Sequence, residues 1–593
     1  QETPTVNIKD VAIASPPEVT LCMTRANGEP VLLTQEDVSG RNIRFIIAKL
    51  VPRTDGDPDS WQSYIQTAET TEAGDPGPGG APALASATQA TAETSGTLEE
   101  APAAGEGCYR YTFDTDVTAV DGVAYDPSLT HRVAIQMEFE GAENALGNAT
   151  EFVANPYFDF VPDGSAVTLT KNVVQTESCN ACHNELAFHG GGRREVEYCV
   201  TCHNPGTVDA NSGHNLDFAV MVHKLHAGES LSVNSDDNPD NDYVIWGYRN
   251  GVHDYSTVAF PQGLHNCETC HTGDDPNWRQ GPSMAACSSC HDDVDFTNHA
   301  GIGAVGNDDC ATCHVNFSSP VNVVSAHTDP VQELADRMQY NIQDVSYAGG
   351  TLTVDFTVTV DGTPQNIKSD TAEYLFTEDG VNLIVGWDTS DFSNEGGGND
   401  LAQPLRFAGV FTNAAPLGDN VFRFTADLGG AASSLPDSGT GAIGFDGHPV
   451  GSVDGAESNL PVVNAVDYFS FDGSQPAPRR EVVAMASCND CHKNLNFHGN
   501  NRNGNVQHCV ICHNPNATDM EARPFDAGGE DGIDLAATLD GKVEESIHFK
   551  HMIHAIHAGD ADEYGFREDG VVLYGYNKSV HDYRGVRYPQ SLA

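Results

Sequence analysis

The sequence predicts a multidomain chain in which two antiparallel β-barrel or sandwich domains alternate with two loop-rich segments of short helices. Three observations support this. The 593 residues exceed what one hydrophobic core serves. The texture changes along the chain, from β-rich runs to Gly- and Asn-rich stretches dense in Cys and His. The second half also echoes the first, with NVVQTESCNACH answered by EVVAMASCNDCH.

Taken in order, residues 1–168 contain NIRFIIAKLVP (42–52), YRYTFDT (109–115) and HRVAIQMEFEG (131–141), short runs of strand-forming residues bounded by Gly, Pro and Asp. Within this first β domain, Thr70 to Gly107 is almost entirely Ala, Thr, Glu, Gly and Pro, and it reads as a disordered surface insertion. Residues 169–330 hold most of the Cys and His. Residues 331–478 return to strand texture in TLTVDFTVTVDG (351–362) and VFRFTADLG (421–429), and they contain no Cys. Residues 479–593 resume the Cys/His pattern.

Hydrophobic content of 39% with 58 Gly and 31 Pro fits folded, loop-rich modules. Acidic residues outnumber basic ones 85 to 29, a formal net charge of −56. Such a surface repels nucleic acid and anionic lipid and attracts cationic proteins or metal ions, or it serves solubility alone. No stretch approaches the roughly 18 apolar residues that a membrane helix needs. The chain begins at Gln1 without Met, which reads as a processed form.

Fourteen of the 16 Cys fall in one pattern. In a first group Cys179 and Cys182 precede His183, Cys199 and Cys202 precede His203, and Cys267 and Cys270 precede His271. Cys287 and Cys290 precede His291, and Cys310 and Cys313 precede His314. In a second group Cys488 and Cys491 precede His492, and Cys509 and Cys512 precede His513. Each is C-x-x-C-H, in which two thiols add to the two vinyl groups of one porphyrin and the adjacent His reaches the iron. Zinc knuckles would pair such motifs four ligands to an ion, with no need of a His after every one. Disulfides would not repeat the triad seven times. Seven covalently bound haem c groups are therefore expected, with His183, His203, His271, His291, His314, His492 and His513 as proximal ligands. Cys22 and Cys108 stand apart. Covalent haem attachment takes place outside the cytoplasm, where disulfides persist, so a Cys22–Cys108 bridge is expected rather than two buried thiols.

Each iron also needs a second ligand. In the first group His189, His223, His226, His253, His299 and His327 compete for five places. His223 and His226, at i and i+3, face one side of a short helix stopped by Gly228. The duplication tests these assignments. FHG recurs at His189 and His498, FAVMVHKLHAG matches FKHMIHAIHAG (His223 with His554, His226 with His557), and VHDY recurs at His253 and His581. His189, His223, His226, His498, His554 and His557 are thus the favoured distal ligands, and His253, His299, His327 and His581 compete for what remains. His214, His265, His508, His548 and His551 lack a counterpart and read as surface or neighbouring residues. His131 and His448 read as structural. Iron with two His has no open position for substrate and lacks the Met that raises potential, which favours low-potential electron transport over a haem enzyme. The acidic run NSDDNPDNDY (234–243) offers oxygens for Ca²⁺, or is a solvated loop.

With these residues in place, the chain resembles the OmcA/MtrC family of outer-membrane decahaem cytochromes. The resemblance rests on CNACHNELAFHGGGRREVEYCVTCHNP, MVHKLHAG, FPQGLHNCETCH and CSSCHDDVDFTNHAG, with FIIAKLVP and SWQSYI near the start. It implies split β-barrels as the first and third domains and haems in the second and fourth. It also implies a bacterial cell-surface location, outer-membrane-associated through a lipid anchor or filament assembly. Implied partners are other multihaem cytochromes or an outer-membrane porin–cytochrome conduit. Metal oxides, chelated metals or flavins are the implied electron acceptors, and nucleic acid is excluded. A polymeric cytochrome filament, a terminal reductase with its own substrate site, and a β module that binds minerals or partners are the competing readings. The Cys-free third domain departs from relatives that carry a redox-active disulfide there.

The tail VHDYRGVRYPQSLA follows VHDYSTVAFPQGLHNCETCH of the first unit, where Pro261 precedes Cys267 by six residues. On that template an eighth motif is expected to begin two residues beyond Ala593, for ten haems in an intact protein.

Overall fold

The computed structural model describes residues 4–33, 39–54, 56–143, 149–232, 242–315, 321–378, 380–388, 403–432, 435–560 and 570–590. The chain forms two compact units, Gln1–His327 and Thr328–Ala593.

The first unit opens with two antiparallel sheets. One orders its strands Thr5–Ala12, Glu18–Thr24, Cys108–Thr112, Thr97–Glu100. The other runs Ala149–Ala154, His131–Glu143, Ser39–Val51, Ser60–Ser63, with Tyr157–Phe160 also paired to His131–Glu143. Alternation along each strand sends every second side chain inward. Val19, Leu21, Met23, Tyr109 and Tyr111 of one sheet thereby share a core with Ile47, Val133, Ile135 and Met137 of the other. This is a sandwich, and among the described residues neither sheet closes into a barrel. Cys22 lies directly opposite Cys108 in the strand register, and a disulfide joins them with Cα atoms 4.0 Å apart.

The segment Thr70–Gly107 is not a disordered insertion. Gln66–Thr70 pairs with Ser86–Ala90 as a hairpin, and Thr97–Glu100 is an edge strand of the first sheet. Composition misleads here because the segment needs no core of its own: it folds against surfaces supplied by its neighbours. Glu93, buried within it, accepts from Tyr111 Oη (3.0 Å), Asp114 N (2.7 Å) and Thr115 N (3.0 Å). The hairpin lies along a loop of the adjoining Cys/His segment, where Ala83 N donates to Asn211 O (2.8 Å) and Leu84 N to Ala210 O (3.0 Å).

Arg132 ties this sandwich to the Cys/His segment. Its side chain is wholly buried, holds Asp159 through two bonds of 2.7 and 2.8 Å, and donates to Glu197 O (3.2 Å). The guanidinium also lies over the rings of Trp61 and Tyr157, 4.4 and 4.5 Å from their centroids.

The second unit repeats the scheme. Met338–Ala348, Thr351–Val360, Val421–Asp427 and Ala415–Gly418 form one sheet in that order, with Thr363–Pro364 at its side. Leu405–Phe407, Gly380–Trp387, Thr440–His448 and Val466–Ser470 form the other. The inward residues of TLTVDFTVTV, Leu352, Val354, Phe356 and Val358, meet Leu383, Val385, Ile443 and Phe445.

The Cys/His segments hold short helices and two-stranded ribbons. Val244–Trp246 pairs with Val252–Asp254, and Val572–Tyr574 with Val580–Asp582, in matching register. No helix among the described residues is long and apolar enough to cross a membrane.

Candidate haem sites

Each C-x-x-C-H motif is built on one helical turn. The backbone N–H of His203 bonds the carbonyl of Cys199 (2.9 Å), and the same i to i+4 bond links His271 to Cys267 (3.0 Å), His291 to Cys287 (2.9 Å) and His513 to Cys509 (3.0 Å). The remaining three motifs lie within helices. Cys179 and Cys182 are in Thr176–His183, Cys310 and Cys313 in Asn307–His314, and Cys488 and Cys491 in Met485–His492. Helical spacing puts the two sulfurs, at i and i+3, and the His, at i+4, on one face.

None of the fourteen motif Cys enters a disulfide, so the two thiols of each turn remain as a pair. Their surroundings nevertheless differ, although the sequence pattern treats them alike. Among the second Cys of each motif, Cys202 is buried and Cys182, Cys270, Cys491 and Cys512 are half-buried, whereas Cys290 and Cys313 are exposed. Cys202 packs beside Tyr198 under the first sandwich, with Ile46 and Ala134.

The structure then brings one further His against every motif His. Ring centroids of His183 and His226 are 6.1 Å apart, His203 and His189 6.0 Å, and His271 and His223 6.2 Å. His291 with His327 and His314 with His299 are each at 6.1 Å. In the second unit His492 with His557 and His513 with His498 are likewise at 6.1 Å. Two imidazoles ligating one iron through nitrogen, at about 2 Å each, separate by roughly this amount.

The nitrogens that face away fit the same purpose. Backbone carbonyls accept from Nδ1 of four motif His: Leu216 from His203 (3.0 Å), Val173 from His271 (3.0 Å), Val321 from His314 (2.8 Å) and Ile547 from His513 (2.9 Å). They accept likewise from three partners, Val222 from His226 (2.8 Å), Val323 from His327 (2.7 Å) and Ile553 from His557 (2.8 Å). With the proton fixed on Nδ1, Nε2 keeps its lone pair for a metal. Burial, with Arg193 next, pushes His189 down to about 4, and burial with Arg502 does the same for His498. Burial also takes His223 to about 4. All three are thus held neutral, the form that ligates. Large apolar residues stand exposed beside these pairs, including Phe188, Ile302, Val321 and Phe497, as walls for a flat apolar group. The residues present fit haem c.

The donor set does not fit zinc. Among the described residues no three His, Cys, Asp or Glu side chains converge as a metal cluster. Burial raises the thiols instead, Cys199 and Cys512 to about 12, outweighing the opposing pull of Arg193 on the first and Arg502 on the second.

The distal candidates differ in what they stand beside. His299 and His327 face motif His, whereas among the described residues His253 and His581 stack on no motif His; they sit on the exposed ribbons, each stacked on a Tyr two residues on and near enough to act on His189 and His498 respectively. His554, the match of His223 in helix Phe549–His557, also meets no motif His among the described residues. His223 and His226, from helix Phe218–Ala227, serve two different motifs. Asp217 caps this helix by accepting from Ala219 N, and Gly228 ends it at φ 39, where a Cβ would meet Val258 O at 2.1 Å. His131 is structural, bonded to Tyr64 Oη (2.9 Å) in the sandwich. The Ca²⁺ candidate 234–243 lies, apart from Asp242 and Tyr243, outside the described residues. The carbonyls that orient the rings escape sequence reading because any residue supplies one.

The family model "Outer membrane cytochrome MtrC/MtrF-like, domains II/IV" matches residues 171–328 and 480–590. The multiheme cytochrome MtrC of Shewanella baltica is 25% identical over 580 residues, spanning 93% of this chain and 77% of the relative. A high-molecular-weight cytochrome c of Nitratidesulfovibrio vulgaris is 30% identical over 160 residues, 26% of this chain and 27% of that protein. Among solved structures, the outer membrane decaheme cytochrome OmcA superposes with a TM-score of 0.68 at 21% identity, covering 96% of this chain and 84% of the other. MtrC from Shewanella baltica superposes at 0.61, also at 21% identity, covering 93% and 85%.

Proposed function

We propose that the chain, which matches the MtrC/MtrF-like outer membrane cytochrome model over residues 171–328 and 480–590 and MtrC over 93% of its length, belongs with those multihaem cytochromes and carries electrons outside the cell through seven covalently held, bis-histidine haems. The supporting observation is the pairing of every motif His with a second His at 6.0 to 6.2 Å. When bound, haem c supplies one-electron iron chemistry.

The protein's part is to hold, space and insulate. The paired Cys would anchor each porphyrin, and the motif His and its partner would both ligate its iron. Backbone carbonyls fix the tautomers, and helix Phe218–Ala227 couples the spacing of two sites. Held by two His, such an iron would leave no position for a substrate, and reduction of an external acceptor would be outer-sphere. Metal oxides, chelated metals and flavins are the acceptors we assign, and other multihaem cytochromes or a porin–cytochrome conduit the donors. The acidic surface favours cationic partners.

A pyridine haemochrome count with near-infrared magnetic circular dichroism tests this. Seven haems for these 593 residues, all low-spin with two His ligands, are expected; a high-spin five-coordinate centre in either oxidation state would refute it.

A further inference from the structure

The sites at His203/His189 and His513/His498 are copies of one another down to their hydrogen bonds. Leu216 N donates to Thr207 O (2.9 Å) and Leu216 O receives the His203 ring; Ile547 N donates to Ala517 O (3.0 Å) and Ile547 O receives the His513 ring. The next rungs, Val208 with Asn215 and Thr518 with Ser546, also match. One residue further stands a buried aspartate in both copies, Asp209 and Asp519. Each accepts the amide of the adjoining ribbon at 3.0 Å, Trp246 N in one and Tyr574 N in the other. At about 3.3 Å per strand residue, each carboxylate lies roughly 7 Å along the ladder from the rung that orients the motif His.

The copies differ in charge. Asp209 draws only neutral donors among the described residues: Asn211 N (3.0 Å), Ser212 N (3.2 Å), the Ser212 hydroxyl and Trp246 N. A second carboxylate, Glu69 of the Gln66–Thr70 strand, accepts Ala210 N at 3.0 Å. Asp519 is instead gripped through two bonds of 2.8 and 2.9 Å by Arg523, whose side chain is wholly buried. Arg523 also holds Asp540 (2.8 and 3.1 Å) and Lys542 O (2.8 Å), and lies 4.8 Å from the Tyr574 ring centroid. One site thus faces two carboxylates to which, among the described residues, no cation is bonded, the near one being Lys224, whose Nζ stands 5.4 Å from the Tyr243 ring centroid. At the other, Asp519 and Asp540 are bridged by a guanidinium, and Glu545, whose N–H donates to Asp519 (2.7 Å), is itself paired with Lys542 (3.0 Å).

Ferric iron carries one more positive charge than ferrous, so a buried, uncompensated carboxylate stabilises the oxidised state and lowers the potential. We propose that Arg523 is a positioning residue that sets these duplicated sites apart, holding the His513/His498 site at a higher potential than the His203/His189 site. This rests on the axial ligation proposed above.

The test is a spectroelectrochemical titration of the intact holoprotein against Arg523→Gln, Arg523→Lys and Asp209→Asn. Arg523→Gln is expected to move one haem's share of the titration to lower potential, and Arg523→Lys to return it toward the parent. Asp209→Asn, nearly isosteric, is expected to move a different haem's share upward. If Arg523→Gln does not fold, Asp209→Asn decides. Curves that superpose on the parent, with haem content and low-spin signature intact, overturn the inference alone. A parent lacking paired-His ligation overturns the reading beneath it.

Discussion

Arg132 offers a stringent test of how the first sandwich is joined to its haem segment. Arg132→Met removes the charge and the donors while keeping most of the apolar stem, and it strands Asp159 with no guanidinium. Breaking a buried ion pair in this way costs roughly 3–5 kcal/mol. Losing the guanidinium from the faces of Trp61 and Tyr157 adds about 0.5–1 kcal/mol per ring. Against this, Asp159 is 15% exposed, so water recovers part of the penalty, and the net expectation is about 3–4 kcal/mol. At roughly 2–4 °C per kcal/mol for units of this size, the thermal midpoint of the first unit should fall by about 10 °C. Far-UV circular dichroism melts of the holoprotein read this, the second unit serving as an internal reference. Arg132→Met/Asp159→Leu should recover most of the loss, because replacing both partners by apolar groups is close to neutral. A single variant within about 1 kcal/mol of the parent, or a double variant no better than the single, would refute the reasoning.

Three further outcomes are expected. His226→Met should raise the potential of one haem only, read by redox titration, since Met ligation favours the reduced state; His253→Ala and His581→Ala should leave every haem low-spin. Glu93→Ala should cost about 2–4 kcal/mol in urea titration, because two backbone amides and the Tyr111 hydroxyl lose their acceptor; a cost below about 0.5 kcal/mol would contradict its bracing role. Burial depresses the His131 imidazole in the fold, so below the unfolded value near 6.5 the unfolded chain binds more protons. Stability should be full above that pH and decline as pH falls from 7 to 5, at up to about 1.4 kcal/mol per unit. His131→Gln should flatten that slope.

The haem motifs are legible in the sequence because the chemistry is local, with five consecutive residues forming one helical turn. The ligand helix is legible for the same reason, His223 and His226 being three apart. The duplication extends this reach, since His189 and His498 repeat one FHG context. Everything else is settled by distant chain. Nothing near His327 says that it meets His291 rather than a neighbour, and nothing near His253 says that it stacks on Tyr255 rather than on a motif His. Nor does the motif say that Cys202 is buried while Cys313 is exposed, since the covering surface comes from the sandwich. Sequence does not tell the sandwich from a barrel, because alternation reports two faces and not whether a sheet closes. Thr70–Gly107 misleads because its order is borrowed from the sheet edge and from Asn211 and Ala210. The carboxylates of Glu93, Asp209 and Asp519 carry no motif, although the second and third occupy equivalent places in the two units.

Helix Phe218–Ala227 has a consequence for how such a protein diverges. One helix presents His223 to His271 and His226 to His183, so a slip of one residue in its register would separate both pairs at once, and neither pair could be adjusted alone by moving the helix. Variation is thereby steered away from the ligands and toward the loops around them, where an arginine can be gained without disturbing any ring. What the duplication copied is a set of backbone bonds that hold paired rings, and what differs between the copies is the charge placed beside them.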